Sequence, residues 1–121
     1  MDKEQNMQLV NDLFPSLLAG WKQCTIRKGM RDIKPGALTF HAPDGSLKAT
    51  VNVTEVRHKK LGELTDAEAQ ADGAENAAHM VAAMKRFYPD IGPDSDITVI
   101  LFDPYKPALQ KKKSFFKGFG L

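Results

Sequence analysis

The stretch Leu47-Lys48-Ala49-Thr50-Val51-Asn52-Val53-Thr54-Glu55-Val56 carries the strongest structural pattern in this 121-residue chain. Its first seven residues alternate between apolar and polar side chains, which is typical of a β-strand with one buried face. The alternation slips at Thr54-Glu55, after which Val56 continues the apolar side. Such a slip predicts a bulge or sharp bend, and a bent strand suits a sheet that curls into a small barrel.

Shorter β patterns lie on both sides of this strand. Residues 37–42 are followed by Pro43-Asp44-Gly45, and an Asp-Gly pair before a β pattern favours a hairpin. Residues 24–27 are predicted as a short strand, and the apolar residues 97–102 as the last one.

Helical patterns occupy other segments. Apolar residues at helical spacing predict a first helix that begins near Met7 and ends or kinks near Phe14, because Pro15 falls inside the pattern, with a second short turn that runs to Gly20. Thr65 and Glu68 have the spacing of a capping box, which predicts that a second helix starts there. Asp72-Gly73 ends it, and residues 74–87 form a third helix. One side of this third helix carries Ala77, Met80, Val81, Met84 and Phe87.

The order of elements predicts an α+β fold: a small, mainly antiparallel β-barrel flanked by helices. We expect one domain over residues 1–110, followed by a basic, aromatic tail at residues 111–121. Lysines interleaved with phenylalanines in that tail suit contact with a phosphate backbone and bases. Packing of the phenylalanines on the barrel, or on a partner, is the alternative.

Composition excludes several classes of chemistry. Cys24 is the only cysteine, so the chain forms no internal disulfide and no cysteine-based zinc site. The three histidines lack ligand spacing, and no glycine-rich phosphate loop is present, so we expect neither a metal nor a cofactor. No apolar run approaches the roughly 18 residues of a membrane span, and the first residues are polar, so a cytoplasmic protein without a membrane partner is expected.

The charges are separated along the chain although the net charge is only +2. Residues 22–34 are basic and residues 61–103 are acidic. Separated basic and acidic faces let a protein bind a polyanion on one side without being basic overall. Each charged run is otherwise an ordinary solvated face.

The basic segment also contains the candidate reactive groups. If residues 24–27 form a strand, Thr25 and Arg27 share one face and Lys22 lies just upstream, while Cys24 and Ile26 point into the core. A hydroxyl, an ammonium and a guanidinium can together grip a phosphate or a base edge. They can also form a threonine nucleophile with a lysine base. A plain surface strand is the alternative.

Several motifs, taken in order, resemble the ASCH family, a branch of the PUA-like β-barrels. They run from about residue 17 to residue 103. The motifs are Ala19-Gly20 with Lys22 and Thr25-Ile26-Arg27, the turn Asp32-Ile33-Lys34-Pro35-Gly36, Val53-Thr54-Glu55-Val56 followed by residues 61–73, the Phe87-Tyr88-Pro89 break, and the strand at 97–102.

The resemblance implies helices that frame a cleft, and a role in RNA binding or RNA metabolism. Some small bacterial members are amidohydrolases that remove the acetyl group of N4-acetylcytidine with a lysine, a threonine nucleophile and a glutamate. By position these roles fall on Lys22, Thr25 and Asp72. Asp72 is one methylene shorter than glutamate, and Glu68, one turn earlier, is a substitute. As the residue before Gly73, Asp72 otherwise simply ends its helix.

In the implied reaction Lys22 accepts the proton of Thr25, Thr25 attacks the amide, and Asp72 protonates the leaving amine and then activates water. Arg27 or nearby backbone N–H groups hold the oxyanion.

Further contacts to RNA or a modified nucleoside are expected from Lys28, Arg31 and Glu68, and from Trp21 by stacking on a base. A cap over the first helix is the alternative for Trp21. The alternative function is an RNA-binding module without catalysis.

Overall fold

The computed structural model describes residues 4–107, so the tail at 111–121 and the predicted boundary at 110 lie outside the described residues. Within this range the chain forms five strands and three α-helices. In chain order they are β1 (Asn6–Gln8), a 3₁₀ turn (Asn11–Leu13), α1 (Phe14–Leu18), β2 (Cys24–Lys28), β3 (Gly36–His41), β4 (Lys48–Lys60), a second 3₁₀ turn (Leu61–Glu63), α2 (Asp66–Asp72), α3 (Ala77–Phe87) and β5 (Asp96–Phe102). The predicted α+β class is confirmed.

The five strands form a single mixed sheet in the order β1-β3-β4-β5-β2. β1 runs parallel to β3, and the other three pairs are antiparallel. β4 is long enough to pair with β3 along its first half and with β5 along its second half. The register shifts between Val53 and Glu55, which confirms the bulge expected from the broken alternation.

The sheet curls into a half-barrel, and its two edge strands approach each other without a backbone ladder among residues 4–107. A side chain joins them instead: Arg27 Nη2 on β2 donates a hydrogen bond to the backbone carbonyl of Gln8 on β1, at 2.8 Å. We call this gap between β1 and β2 the seam. It is the place where the half-barrel leaves room for a cavity.

The prediction of a first helix starting near Met7 is wrong. Residues 6–8 form β1, held to β3 by hydrogen bonds such as Thr39 N–H to the Gln5 carbonyl at 2.9 Å. The α-helix starts only at Phe14, in the segment predicted as a second short turn, and Pro15 lies in its first turn. Proline is tolerated there because the first turn needs no N–H donor, so Pro15 begins the helix and does not end it.

Two apolar clusters hold the elements together. The first fills the half-barrel and includes the ring pair Phe40 and Phe102, with centroids 5.7 Å apart. The second packs α2 and α3 against the other face of β2 and β5, and it contains Cys24 and Ile26, as predicted. Along β2, residues 24–26 are buried and Arg27 and Lys28 are half-buried.

Helix α2 ends where the sequence indicated. Its capping box is present, with Thr65 accepting from the Glu68 N–H, and Gly73 stops it with a left-handed φ of 115°. α3 begins at Ala77, three residues later than predicted, because Asn76 caps it by accepting from the His79 N–H.

No helix within residues 4–107 has the length and apolar character needed to cross a membrane.

Candidate functional site

The last turn of α2 lies against the segment that leads into β2. The Gln23 N–H donates to the Ala71 carbonyl at 2.7 Å. Beside this contact, Lys22 Nζ donates to Asp72 Oδ1 at 2.6 Å and to the Cys24 carbonyl at 2.8 Å. The Lys22 side chain is 1% exposed and that of Asp72 is 11% exposed, so this is a nearly buried ion pair. The shorter carboxylate of Asp72 does reach Lys22.

A second polar pair lies on the next two alternate positions of β2. Arg27 Nε donates to Thr25 Oγ1 at 3.2 Å. Because the Thr25 oxygen accepts this bond, its own proton remains available for donation to a base. Burial lowers the pKa of the Arg27 guanidinium from its ordinary value, against an opposing effect of Tyr88. Thr25 is 3% exposed, so its hydroxyl is held in a site largely closed to solvent.

The thiol of Cys24 lies next to these groups but is chemically quiet. Burial, reinforced by the charge of Asp72, raises the pKa of Cys24 to about 12. The thiol therefore stays protonated at neutral pH, and a protonated thiol is a poor nucleophile. Thr25 remains the nucleophile candidate in this part of the chain.

Both polar pairs open onto one cavity of about 220 Å³ at the seam. Lys22, Thr25, Arg27 and Asp72 form its polar part. Most of its remaining wall is apolar and comes from the segment after β1 and from α3. These other lining residues are Gln8, Leu9, Val10, Leu13, Ile26, Met80, Met84, Phe87 and Tyr88. The fold thus brings four of the sequence-predicted site residues together across a separation of up to 50 positions.

The other four predicted site residues are not among those that line this cavity. Trp21 is 77% exposed. Arg31 Nε donates to the Lys28 carbonyl at 3.0 Å, so these two basic residues interact with each other along the turn after β2. Glu68 is bound on the other side of α2, against β4.

Glu68 clamps α2 to the second half of β4. Its carboxylate, 1% exposed, accepts from Arg57 Nη1 at 2.8 Å, from Lys59 Nζ at 3.0 Å and from the Thr65 N–H at 3.0 Å. Burial alone would raise the pKa of Glu68, but the hydrogen bonds from Thr65, Arg57 and Lys59 outweigh it and hold the pKa at about 2. Glu68 therefore fixes the helix on which Asp72 stands.

The clamp predicts a dependence of stability on pH. Since the pKa of Glu68 is about 2 in the folded protein and near 4.5 in an unfolded chain, its stabilisation is complete above pH 4.5. It is lost as the pH falls from 4.5 towards 2. We expect Glu68→Gln to lower the free energy of unfolding at pH 7 by about 2 kcal/mol. Urea denaturation should show this gap narrowing steadily below pH 4.5.

A matched control is Glu55→Gln, since Glu55 also pairs with Arg57 but is solvent-exposed. Exposed pairs contribute little, so this variant should track the parent at each pH. If the difference in free energy of unfolding between the parent and Glu68→Gln stayed constant down to pH 2, the stabilising role of the ionised Glu68 would be contradicted.

A wider groove of about 1010 Å³ lies on β1, β3 and β4, where it is lined by residues such as Lys34, His41 and Lys48. Its polar groups bond one another, for example Thr39 Oγ1 with Thr50 Oγ1 at 2.7 Å. It contains no pairing of a hydroxyl with a buried ion pair. The smaller cavity at the seam is therefore the candidate site, and within residues 4–107 no group of His, Cys, Asp and Glu side chains is arranged to hold a metal.

Sequence reasoning missed the apolar wall of the cavity. The helical spacing places Val10 and Leu13 on one face of a helix starting near Met7, but Val10 precedes the 3₁₀ turn that ends at Leu13. Phe87 was assigned to the apolar side of the third helix, and only its position as the last residue before the Tyr88-Pro89 break could have indicated that it extends past the core.

The fold matches several solved structures. The ASCH domain from Lactobacillus crispatus aligns with a TM-score of 0.66 and 15% identity, covering 84% of this chain and 81% of that one. A protein from Enterococcus faecalis aligns with a TM-score of 0.65 and 15% identity over 88% and 84% of the two chains. A mutant of ZmASCH from Zymomonas mobilis aligns with a TM-score of 0.62 and 13% identity, covering 87% of this chain and 70% of that one.

No protein-family model matches the sequence, and no curated protein matches it significantly. The structural likenesses, all at low identity, establish the fold. The protein has the fold of ASCH-domain proteins, which the sequence motifs predicted.

Proposed function

We propose that this protein is an amidohydrolase that removes the acyl group from the exocyclic amine of an acylated cytidine, with N4-acetylcytidine as the representative substrate. One observation carries the proposal: the buried Lys22–Asp72 ion pair and the Thr25–Arg27 pair line the same small cavity. A hydroxyl, a base, an acid and a cation are the groups that acyl transfer from an amide requires.

The ion pair supplies both the base and the acid. Transfer of one proton along the 2.6 Å hydrogen bond converts the Lys22 ammonium and the Asp72 carboxylate into a neutral amine and a neutral carboxylic acid. The amine takes the proton of Thr25 as its oxygen attacks the amide carbonyl carbon. The Asp72 acid then protonates the nitrogen of cytidine as the amide C–N bond breaks.

Water completes the cycle. The Asp72 carboxylate accepts a proton from a water molecule, and the resulting hydroxide attacks the acyl ester on Thr25. As acetic acid leaves, the Thr25 oxygen takes back a proton from Lys22, and transfer of the Asp72 proton to the Lys22 amine restores the ion pair. The Arg27 guanidinium, bonded to Thr25 Oγ1 at 3.2 Å, lies where it can stabilise the oxyanion of both steps.

The size of the cavity selects a small substrate. About 220 Å³ is below the roughly 300–1,000 Å³ of pockets that enclose drug-sized ligands. It admits a single base with its acetyl group and leaves a sugar at the opening. This favours a free nucleoside, or a base turned out of its strand, over a stacked nucleic acid.

The test is incubation of the protein with N4-acetylcytidine, with cytidine and acetate followed by chromatography. We expect equal amounts of both products. N4-methylcytidine, which has no amide, is the control and should stay intact. Failure to release cytidine from N4-acetylcytidine, accompanied by salt-sensitive RNA binding, would contradict the proposal in favour of a non-catalytic binding module.

A further inference from the structure

Phe87 is a large apolar side chain that the fold leaves in contact with water. It is the last residue on the apolar side of α3, where Met84, one turn earlier, is only 2% exposed. Phe87 itself is 59% exposed. Leaving an aromatic ring in water forfeits the free energy that its burial would give, so a further contact for this ring would explain its position.

A ligand bound in the cavity at the seam would provide such a contact for the ring. Phe87 lines it together with Thr25 and Lys22, which are 3% and 1% exposed. These differences in exposure orient the cavity: the reactive groups lie at its closed end, and Phe87 lies at its opening. A ligand that reaches Thr25 with an acyl group therefore presents the atoms behind that group to Phe87.

We propose that Phe87 is the specificity-determining residue of this site and stacks on the pyrimidine ring that carries the acyl group. The inference rests on the proposed function for the orientation of the ligand. Aromatic side chains stack on any base, because every base offers a π-face. The site then selects an acyl group attached to a planar aromatic amine and discriminates against an aliphatic amide, which has no face to stack.

Trp21 is the rival for this role, because it precedes Lys22 and is 77% exposed. Its side chain is not part of the cavity lining. The structure therefore assigns stacking to Phe87 and not to Trp21, and the two residues can be tested against each other.

Binding is measured by calorimetry in a Thr25→Ala background, which keeps N4-acetylcytidine intact. Phe87→Ala should weaken the binding of N4-acetylcytidine and of cytidine roughly tenfold. Phe87→Tyr should restore it and Phe87→Leu should not, since leucine is apolar but has no ring. Met30→Ala is the matched control, because Met30 is 62% exposed and lies away from the cavity lining.

Unchanged binding in Phe87→Ala, or a loss confined to Trp21→Ala, would overturn the inference. The unsubstituted protein separates this outcome from failure of the proposed function. If it does not hydrolyse N4-acetylcytidine, the function fails, whereas cytidine binding that depends on Phe87 still supports the stacking role. If it does hydrolyse N4-acetylcytidine and Phe87→Ala leaves KM unchanged, the stacking role alone is overturned.

Discussion

Replacement of Thr25 by alanine is expected to lower the rate of N4-acetylcytidine hydrolysis by on the order of 10³-fold or more, since it removes the hydroxyl that forms the acyl intermediate in the proposed mechanism. The neighbouring thiol of Cys24 cannot take over, because its pKa of about 12 keeps it protonated. Single-turnover measurements on the parent should show cytidine released before acetate, as an acyl intermediate requires. Thr25→Ala should show neither product.

The control is Thr25→Ser, which keeps the hydroxyl and loses one methyl group. It should retain hydrolysis within about tenfold, whereas full activity in Thr25→Ala would exclude the acyl-threonine mechanism. Circular dichroism and urea denaturation must show both variants folded. The second apolar cluster holds β2 through Cys24 and Ile26, so neither variant is expected to unfold.

The largest effect on stability is expected from breaking the buried ion pair on one side only. Asp72→Asn leaves the Lys22 ammonium, 1% exposed, without a countercharge, and should lower the free energy of unfolding by about 3 kcal/mol. Lys22→Met should lower the free energy of unfolding by a smaller amount, because the Asp72 carboxylate that it leaves unpaired is 11% exposed and has more access to water. Each single variant should also lose at least about 100-fold in hydrolysis, since each removes the base or the acid.

The double variant Lys22→Met/Asp72→Asn gives the decisive comparison. Because this variant removes both charges, its loss in free energy of unfolding should be smaller than the sum of the two single losses by about 1–3 kcal/mol. Asp96→Asn is the matched control, since the Lys60–Asp96 pair has nearly the same bond length, 2.7 Å, but is half exposed. That variant should change little. Strict additivity at Lys22 and Asp72 would show that the two charges do not interact.

Local sequence patterns were sufficient for elements whose burial follows a simple period. The alternation through residues 47–53 predicted β4, and its interruption predicted the bulge that lets β4 serve both β3 and β5. In β2, the alternation of side chains along a strand predicted that Thr25 and Arg27 share one face, where a hydrogen bond joins them. These features depend on neighbours in sequence, so a sequence contains them directly.

Features that depend on contacts between residues far apart in the sequence could not be predicted from local patterns. β1 is only three residues long and exists because β3 supplies its hydrogen bonds from more than 30 positions away. Its one apolar residue, Met7, fits the helical spacing of the following residues equally well. The meeting of Lys22 with Asp72 was likewise inferable only from the family resemblance, because no local pattern relates residues 50 positions apart.

At the seam, the contact that joins the two edge strands uses backbone atoms of β1, whereas the cavity is also lined by residues that can be substituted. Arg27 joins the two edge strands through the backbone carbonyl of Gln8, which any amino acid at position 8 provides. Gln8 and Val10 also line the cavity, and Gln8 is exposed while Val10 is half-buried. Under the proposed function, substitutions at these two positions should therefore change which acyl groups enter the cavity while the strand pairing of the sheet is kept.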